Sequence, residues 1–159
     1  MRAPSILALA MATLVVATPL FAQTGGSLST QDYIDIQQLY ARYNHAIDSG
    51  DAETWAGTFT ADGVFNNNSG REALLNFARN YAKTGTTRRH WNTNLLITPT
   101  PEGASGTVYL FLLDIAAKPP TVATAAKYED LLVKTAQGWR FKKRATRADA
   151  APAPATPPQ

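Results

Sequence analysis

Apolar residues recur at helical spacing in the first half of the chain, where Ile36, Leu39, Tyr40, Tyr43 and Ile47 share one face. Just before them, Ser29-Thr30-Gln31-Asp32 is a helix-start signal: a hydroxyl at the N-cap with an acid in the first turn. The two features predict a long amphipathic helix ending near Gly50. Asp51 caps a second, short helix carrying Trp55 and Phe59. Asp62-Gly63 reads as a turn, followed by a brief strand at Val64 and Phe65 and a polar loop over residues 66–70. Leu74, Leu75, Phe77, Ala78 and Tyr81 then restore helical spacing over residues 71–83.

After Gly85 the pattern shifts from a period near 3.6 to one near 2. Residues 88–98, 106–116, 121–135 and 139–147 are rich in β-branched and aromatic side chains. Residues 99–103, Pro119-Pro120 and Gln137-Gly138 separate them. Helices followed by a run of strands predict an α+β fold, with a curved antiparallel sheet wrapped around the long helix.

The ends have a different texture. Residues 6–21 carry no charge and follow Arg2, the pattern of an export signal cut after Ala22. That run is shorter than the ~20 residues needed to span a bilayer, and Pro19 interrupts it. The expectation is therefore a signal peptide over residues 1–22 and a flexible leader over 23–27. One folded domain over 28–147 follows, then a Pro/Ala-rich tail over 148–159 with nothing to bury. The mature protein is expected to be secreted or periplasmic and not embedded in a membrane.

Composition narrows the chemistry. The chain has no cysteine, which excludes disulfides, thiolate zinc sites and thiol catalysis. Its two histidines are far apart and have no matching acidic cluster, so no metal site is expected. There is no glycine-rich phosphate loop, and no cofactor is called for. A net charge of +3 and the short Lys142-Lys143-Arg144 run do not argue for nucleic acid.

Four stretches carry a resemblance to a known family. They are residues 36–40 leading to Asp48, then Asp62-Gly63-Val64-Phe65, Arg89-His90-Trp91-Asn92-Thr93-Asn94, and Gly138-Trp139-Arg140-Phe141. In this order and spacing the chain resembles the SnoaL-like group of the nuclear transport factor 2-like superfamily. The resemblance implies a cone-shaped α+β fold, with N-terminal helices packed on a curved sheet around a pocket. Within the superfamily the sequence is similar to lyases such as lindane dehydrochlorinase and scytalone dehydratase. Those enzymes place an aspartate at the end of the first helix near a histidine on a strand, and Asp48 and His90 match. His90, Thr93 and Asn94 also match a His-x-x-Thr-Asn stretch of the dehydrochlorinase, Arg144 its functional arginine, and Phe65 an aromatic pocket position. The second pocket histidine of the dehydratase has no counterpart, since the other histidine here is His45.

The resemblance thus implies His90 as a proton-abstracting base, Asp48 as its orienter and Arg144 as an electrostatic helper. Tyr43 lies one turn before Asp48, and is expected either to offer its hydroxyl to the pocket or to pack in the core. Strand alternation puts His90, Asn92 and Asn94 on one face, so Asn92 joins the candidate substrate-binding residues. Phe65 and Tyr128 complete that set, Tyr128 sharing a strand face with Asp130. Alternation also puts Arg144 opposite Trp139 and Phe141 unless a bulge intervenes, so it either faces the pocket or belongs to a solvated basic edge. Bland alternatives stand beside these: Asp48 as turn chemistry, His90 as a satisfied core residue, Phe65 as sheet core.

The function expected is a lyase or isomerase that needs no cofactor and acts on a small apolar cyclic or polyketide-like molecule. The alternative is a non-catalytic ligand-binding or interaction domain of the same fold. Such folds commonly pair through the exposed sheet face, which implies a homo-oligomer. A working dyad requires His90 and Asp48 within hydrogen-bond reach inside a closed apolar cavity.

Overall fold

The computed structural model describes residues 26–85 and 87–148. The expected export signal, the leader before Gly26 and the tail from residue 149 lie outside the described residues. Among the described residues, three helices and six strands follow one another as α1 (Thr30–Ser49), α2 (Ala52–Ala56), β1 (Phe59–Phe65), β2 (Asn68–Ser69), α3 (Arg71–Ala82), β3 (Arg88–Thr100), β4 (Gly103–Asp114), β5 (Thr121–Thr135) and β6 (Gly138–Ala148). They form one curved sheet, ordered β2-β1-β6-β5-β4-β3. Strands β3 to β6 are the expected antiparallel meander, and β1 adds to β6 in parallel.

Helix α1 begins with a full capping box. Ser29 Oγ accepts from the Asp32 N–H, and the Asp32 carboxylate accepts from the Ser29 N–H at 2.9 Å. It ends at Gly50, whose φ of 76° is left-handed and suits glycine. Asp51 caps α2 by accepting from the Thr54 N–H at 3.0 Å. The buried face of α1 rests on the sheet through Ile36, Leu39, Tyr40, Tyr43 and Ile47. Tyr43 is the hub of the core, with ring centroids of Trp55, Phe59, Phe65, Tyr128 and Phe141 all within 6.5 Å.

Three local expectations are corrected. Asp62-Gly63 is not a turn but an irregular stretch inside β1, where pairing with β6 jumps from Phe59↔Phe141 to Val64↔Lys143. A Cβ on Gly63 would lie 2.8 Å from the Phe59 Cβ, so the irregular segment closes only around glycine. The ion pair of Asp62 with Lys142 ties that segment to β6. Phe59 opens β1 instead of belonging to α2, and the polar loop over residues 66–70 contains the two-residue strand β2.

Two bulges decide which side chains face inward. On β6, Leu131 pairs with Lys143 but Leu132 pairs with Phe141, so Lys142 is the extra residue. Alternation slips by one there, and Trp139, Phe141 and Arg144 are all buried. On β3 the register slips between Thr93 and Leu96, and Asn94 takes a φ of 56°. His90 and Asn92 face α1 before the slip, and Leu95 and Ile97 pack against the core after it. Asn94 therefore does not share their inward face, as simple alternation requires, and is exposed. On the opposite face of the sheet, Trp91, Tyr109 and Phe111 are exposed, Trp91 at 63%.

Candidate functional site

A cavity of about 1090 Å³ lies between α1 and the inner face of β3 and β4. One wall is α1, with Tyr40, Asn44 and Asp48 at successive four-residue steps. The other wall contains His90, Asn92, Leu95 and Val108. Trp91 and Phe111, from the outer face, also border it, so the cavity opens around edge strand β3. It is an open cavity of mixed polarity, not the closed apolar one expected. Exposed His45 stands on its border, and Asp48 makes its ion pair with His90.

Asp48 and His90 meet in this wall. The Asp48 Oδ1 lies 2.5 Å from His90 Nδ1, and Oδ2 accepts the His90 backbone N–H at 3.0 Å. An edge strand leaves alternate N–H groups without a strand partner, and Asp48 takes the one at His90. Asp48 also sits in the last turn of α1, where the helix dipole disfavours negative charge and no basic residue compensates. The two donors of His90 supply that compensation. Because a carboxylate only accepts, Nδ1 carries the proton, and in the neutral imidazole Nε2 keeps its lone pair. No described residue hydrogen-bonds Nε2. The side chains are 7% and 13% exposed for His90 and Asp48, shielded but reachable from the cavity.

A second contact runs beside the first. Asn44 Nδ2 donates to Asn92 Oδ1 at 2.8 Å, four residues back on α1 and two residues on along β3. Asn44 Oδ1 and Asn92 Nδ2 are buried without partners. Behind His90 the Tyr81 ring stands 5.9 Å away, centroid to centroid. Its hydroxyl is buried and unpartnered, and burial first, then the Asp48 charge, push its pKa up to about 12. Tyr81 is therefore neutral across the physiological range.

Arg144 faces inward but does not line this cavity. Its side chain is wholly buried, donating to both Asp130 oxygens at 2.8 and 2.7 Å. The rings of Tyr40, Tyr43, Tyr128 and Phe141 surround its guanidinium at 3.9 to 4.7 Å. Burial works against the charge, but the Asp130 carboxylate outweighs it and carries the pKa above the ordinary arginine value. Tyr40 donates its hydroxyl to Asp130, joining the cavity wall to the buried pair. Burial raises the phenol pKa of Tyr40, Tyr43 and Tyr128, so none supplies a phenolate.

Of the residues singled out from sequence, the structure brings Asp48, His90 and Asn92 together on the cavity. Tyr43, Phe65 and Tyr128 are in the aromatic core and do not line it, because the inner sheet face beneath the end of α1 is filled by their own rings. Asn44 and Tyr40 were missed. Asn44 had a legible signal, since it lies four residues before Asp48, one helical turn away on the same face. Tyr40 carries no such signal, because its apolar spacing reads as core. Among the described residues, no group of three or more acidic or histidine side chains is placed to hold a metal, and no helix is long and apolar enough to cross a membrane.

The SnoaL-like domain family matches residues 29–145 of the chain. Among solved structures, Rv3472 from Mycobacterium tuberculosis, of unknown function, is 31% identical, with a TM-score of 0.69 over 76% of this chain and 73% of that one. A protein from Catenulispora acidiphila, in complex with S-DNPA, is 30% identical, with a TM-score of 0.66 over 74% of this chain and 95% of that one. An NTF2-like protein with a cystatin-like fold from Novosphingobium aromaticivorans shares the fold, with 20% identity and a TM-score of 0.70 over 77% of this chain and 85% of that one. No curated protein sequence matches the chain significantly.

Proposed function

The chain belongs to the SnoaL-like family and has its nuclear transport factor 2-like fold, and from that premise we propose a lyase or isomerase that needs no cofactor. Its substrate is a small, largely apolar cyclic or polyketide-like molecule. The observation that carries this reading is the double contact of Asp48 with His90 in the wall of an open cavity. Binding of S-DNPA by the Catenulispora relative supports a small-molecule ligand.

In this reading Nε2 takes a proton from a substrate carbon, and Asp48 stabilises the imidazolium that forms. The electron pair of the broken C–H bond forms a new double bond. In an elimination the leaving group departs with its own bonding pair, and a hydroxide takes the proton from the imidazolium to leave as water. In an isomerisation the imidazolium returns the proton to another carbon. Neutral Tyr81 packs against the imidazole and limits its tilt.

A panel of cyclic β-hydroxy ketones, followed by the ultraviolet absorbance of the enone, tests this. The protein is expected to accelerate elimination, and His90→Gln is expected to lose ~10²–10⁴-fold of that acceleration. Equal rates in protein and variant would overturn the assignment of His90. A second reading, ligand capture without turnover, is favoured by Arg144, which is committed to Asp130 and not presented to the cavity. Binding by the protein with no acceleration across the panel would establish it.

The uncharged run over residues 6–21 supports export, with the mature chain starting at Gln23. The mass of the secreted protein tests that reading.

A further inference from the structure

The contact beside the dyad is incomplete; Trp55 Nε1, Tyr81 Oη and Arg144 Nη1 are buried without partners as well, but of these residues the two asparagines alone border the cavity. Asn44 and Asn92 share one hydrogen bond of 2.8 Å, leaving the Asn44 carbonyl oxygen and the Asn92 amide nitrogen buried and unpartnered. Turning both amides over exchanges the two roles and again leaves one donor and one acceptor. Turning over only one would set oxygen against oxygen or nitrogen against nitrogen. The deficit of one donor and one acceptor therefore belongs to the pair itself. Buried polar groups are normally satisfied, and both of these side chains border the cavity.

We infer that the Asn44–Asn92 pair is a recognition subsite for a neutral ligand group carrying one hydrogen-bond donor and one acceptor side by side. A cis-amide, a hydroxy ketone or an enolised dicarbonyl has this edge. A purely halogenated or hydrocarbon ring does not, which sets this chain apart from a dehydrohalogenase acting on unfunctionalised rings. The terminal torsion of asparagine is soft, so a small rotation turns both free groups toward a bound molecule.

The two contacts are rungs of one ladder between helix and strand. Four residues along α1 advance about 6 Å, and two residues along β3 advance about 7 Å. The group held by the asparagines is thus displaced from the carbon that meets His90. It anchors the substrate and is not the bond that reacts. Asn44 and Asn92 are positioning and specificity residues, and their loss acts on KM before kcat. The inference rests on reading the cavity as a ligand site, but not on His90 being a base.

The test uses δ-valerolactam, which carries the matching N–H and C=O edge, and N-methyl-δ-valerolactam, which lacks the donor. Binding is read from the side-chain amide resonances of Asn44 and Asn92 in the ¹⁵N-labelled protein. The lactam is expected to shift both amides saturably and to bind roughly tenfold tighter than its N-methyl analogue. In the Asn44→Leu/Asn92→Leu double variant, backbone resonances of the same wall are expected to show that preference gone while the melting temperature holds or rises. Removing two unsatisfied buried groups relieves the folded state, whereas removing a purely structural bond would lower it. Three results overturn the subsite: no saturable shift with the lactam, equal binding of the two probes, or a preference that survives in the double variant. A fall in melting temperature would mark the pair as structural and overturn it too. His90→Gln separates the readings, since the lactam preference is expected to persist in it while turnover disappears.

Discussion

Asp48 spends both carboxylate oxygens on one residue, one on the ring and one on the backbone of His90. The backbone contact holds the strand in place and the ring contact sets the tautomer, so a single side chain determines both position and protonation. Asp48→Asn keeps the size but removes the charge and lets either tautomer form. Imidazole ¹⁵N shifts of the neutral ring are expected to show Nδ1 protonated and Nε2 bare in the protein, with His45→Gln used to remove the other signal. The Asp48→Asn variant is expected to show a mixture. An unchanged Nδ1–H tautomer would mean that the carboxylate does not govern the ring. At this scale the sequence was legible for Asp48 and His90 through the resemblance to the family, and for Asn92 through strand alternation from His90. It was not legible for Arg144, whose charge reads the same in a pocket, on a surface or inside an ion pair.

Strands β4, β5 and β6 show why an element-scale pattern misplaces single residues. The expected strand positions match the observed ones closely, since β-branched runs and Pro/Gly breaks are local properties. Which face a residue takes after a bulge is not local. It depends on the partner strand, and one extra residue at Lys142 is enough to bring Arg144 inside. The space for the Tyr40 hydroxyl, which holds Asp130 beside Arg144, is made in turn on β4. Gly106 pairs with Asp130 across the strands, and a Cβ there would lie 2.1 Å from Tyr40 Oη. That hydroxyl is held against Asp130, so it has nowhere to go without breaking its bond. Gly106→Ala is expected to destabilise the fold by about 1–3 kcal/mol, read as a lower urea midpoint. An unchanged midpoint would show that Tyr40 yields freely and that the network is not rigid.

Across the whole molecule, α1 is fastened at each end by one carboxylate reaching a different part of the sheet. Asp48 holds the C-terminal end to β3. Asp32 holds the N-terminal end, accepting from Lys134 Nζ on β5 at 2.7 Å and from Trp139 Nε1 on β6 at 2.9 Å. The sequence reading found Asp32 only as a capping residue, because both distant partners lie about a hundred residues away. The Lys134 hydrogen bond, opposed by burial and reinforced by Ser29 and Trp139, holds the Asp32 carboxyl well below the usual carboxylate range. A group with a lowered folded-state pKa adds stability that is full above its unfolded pKa of about 4. That stability is lost as pH falls below this value and through the folded pKa. Chemical denaturation between pH 6 and pH 2.5 is expected to show this loss, and Asp32→Asn is expected to flatten that acid limb while lowering stability at pH 6. Parallel pH profiles for the two proteins would remove Asp32 as the cause.

The sequence by itself determined the three helices and the four long strands in order, the α+β class and the family, but not β2 or the first part of β1. Each of these follows from local periodicity, capping and turn chemistry, or from motifs in a fixed order. It also placed Asp48 and His90 at positions from which they could meet. Tertiary structure alone decided that Asn44 and Asn92 close beside them with a donor and an acceptor to spare, and that Tyr43, Phe65 and Tyr128 fill the core. It alone paired Arg144 with Asp130. The reason is that a side chain's surroundings depend on register, bulges and contacts with residues distant in the chain, which no local period encodes.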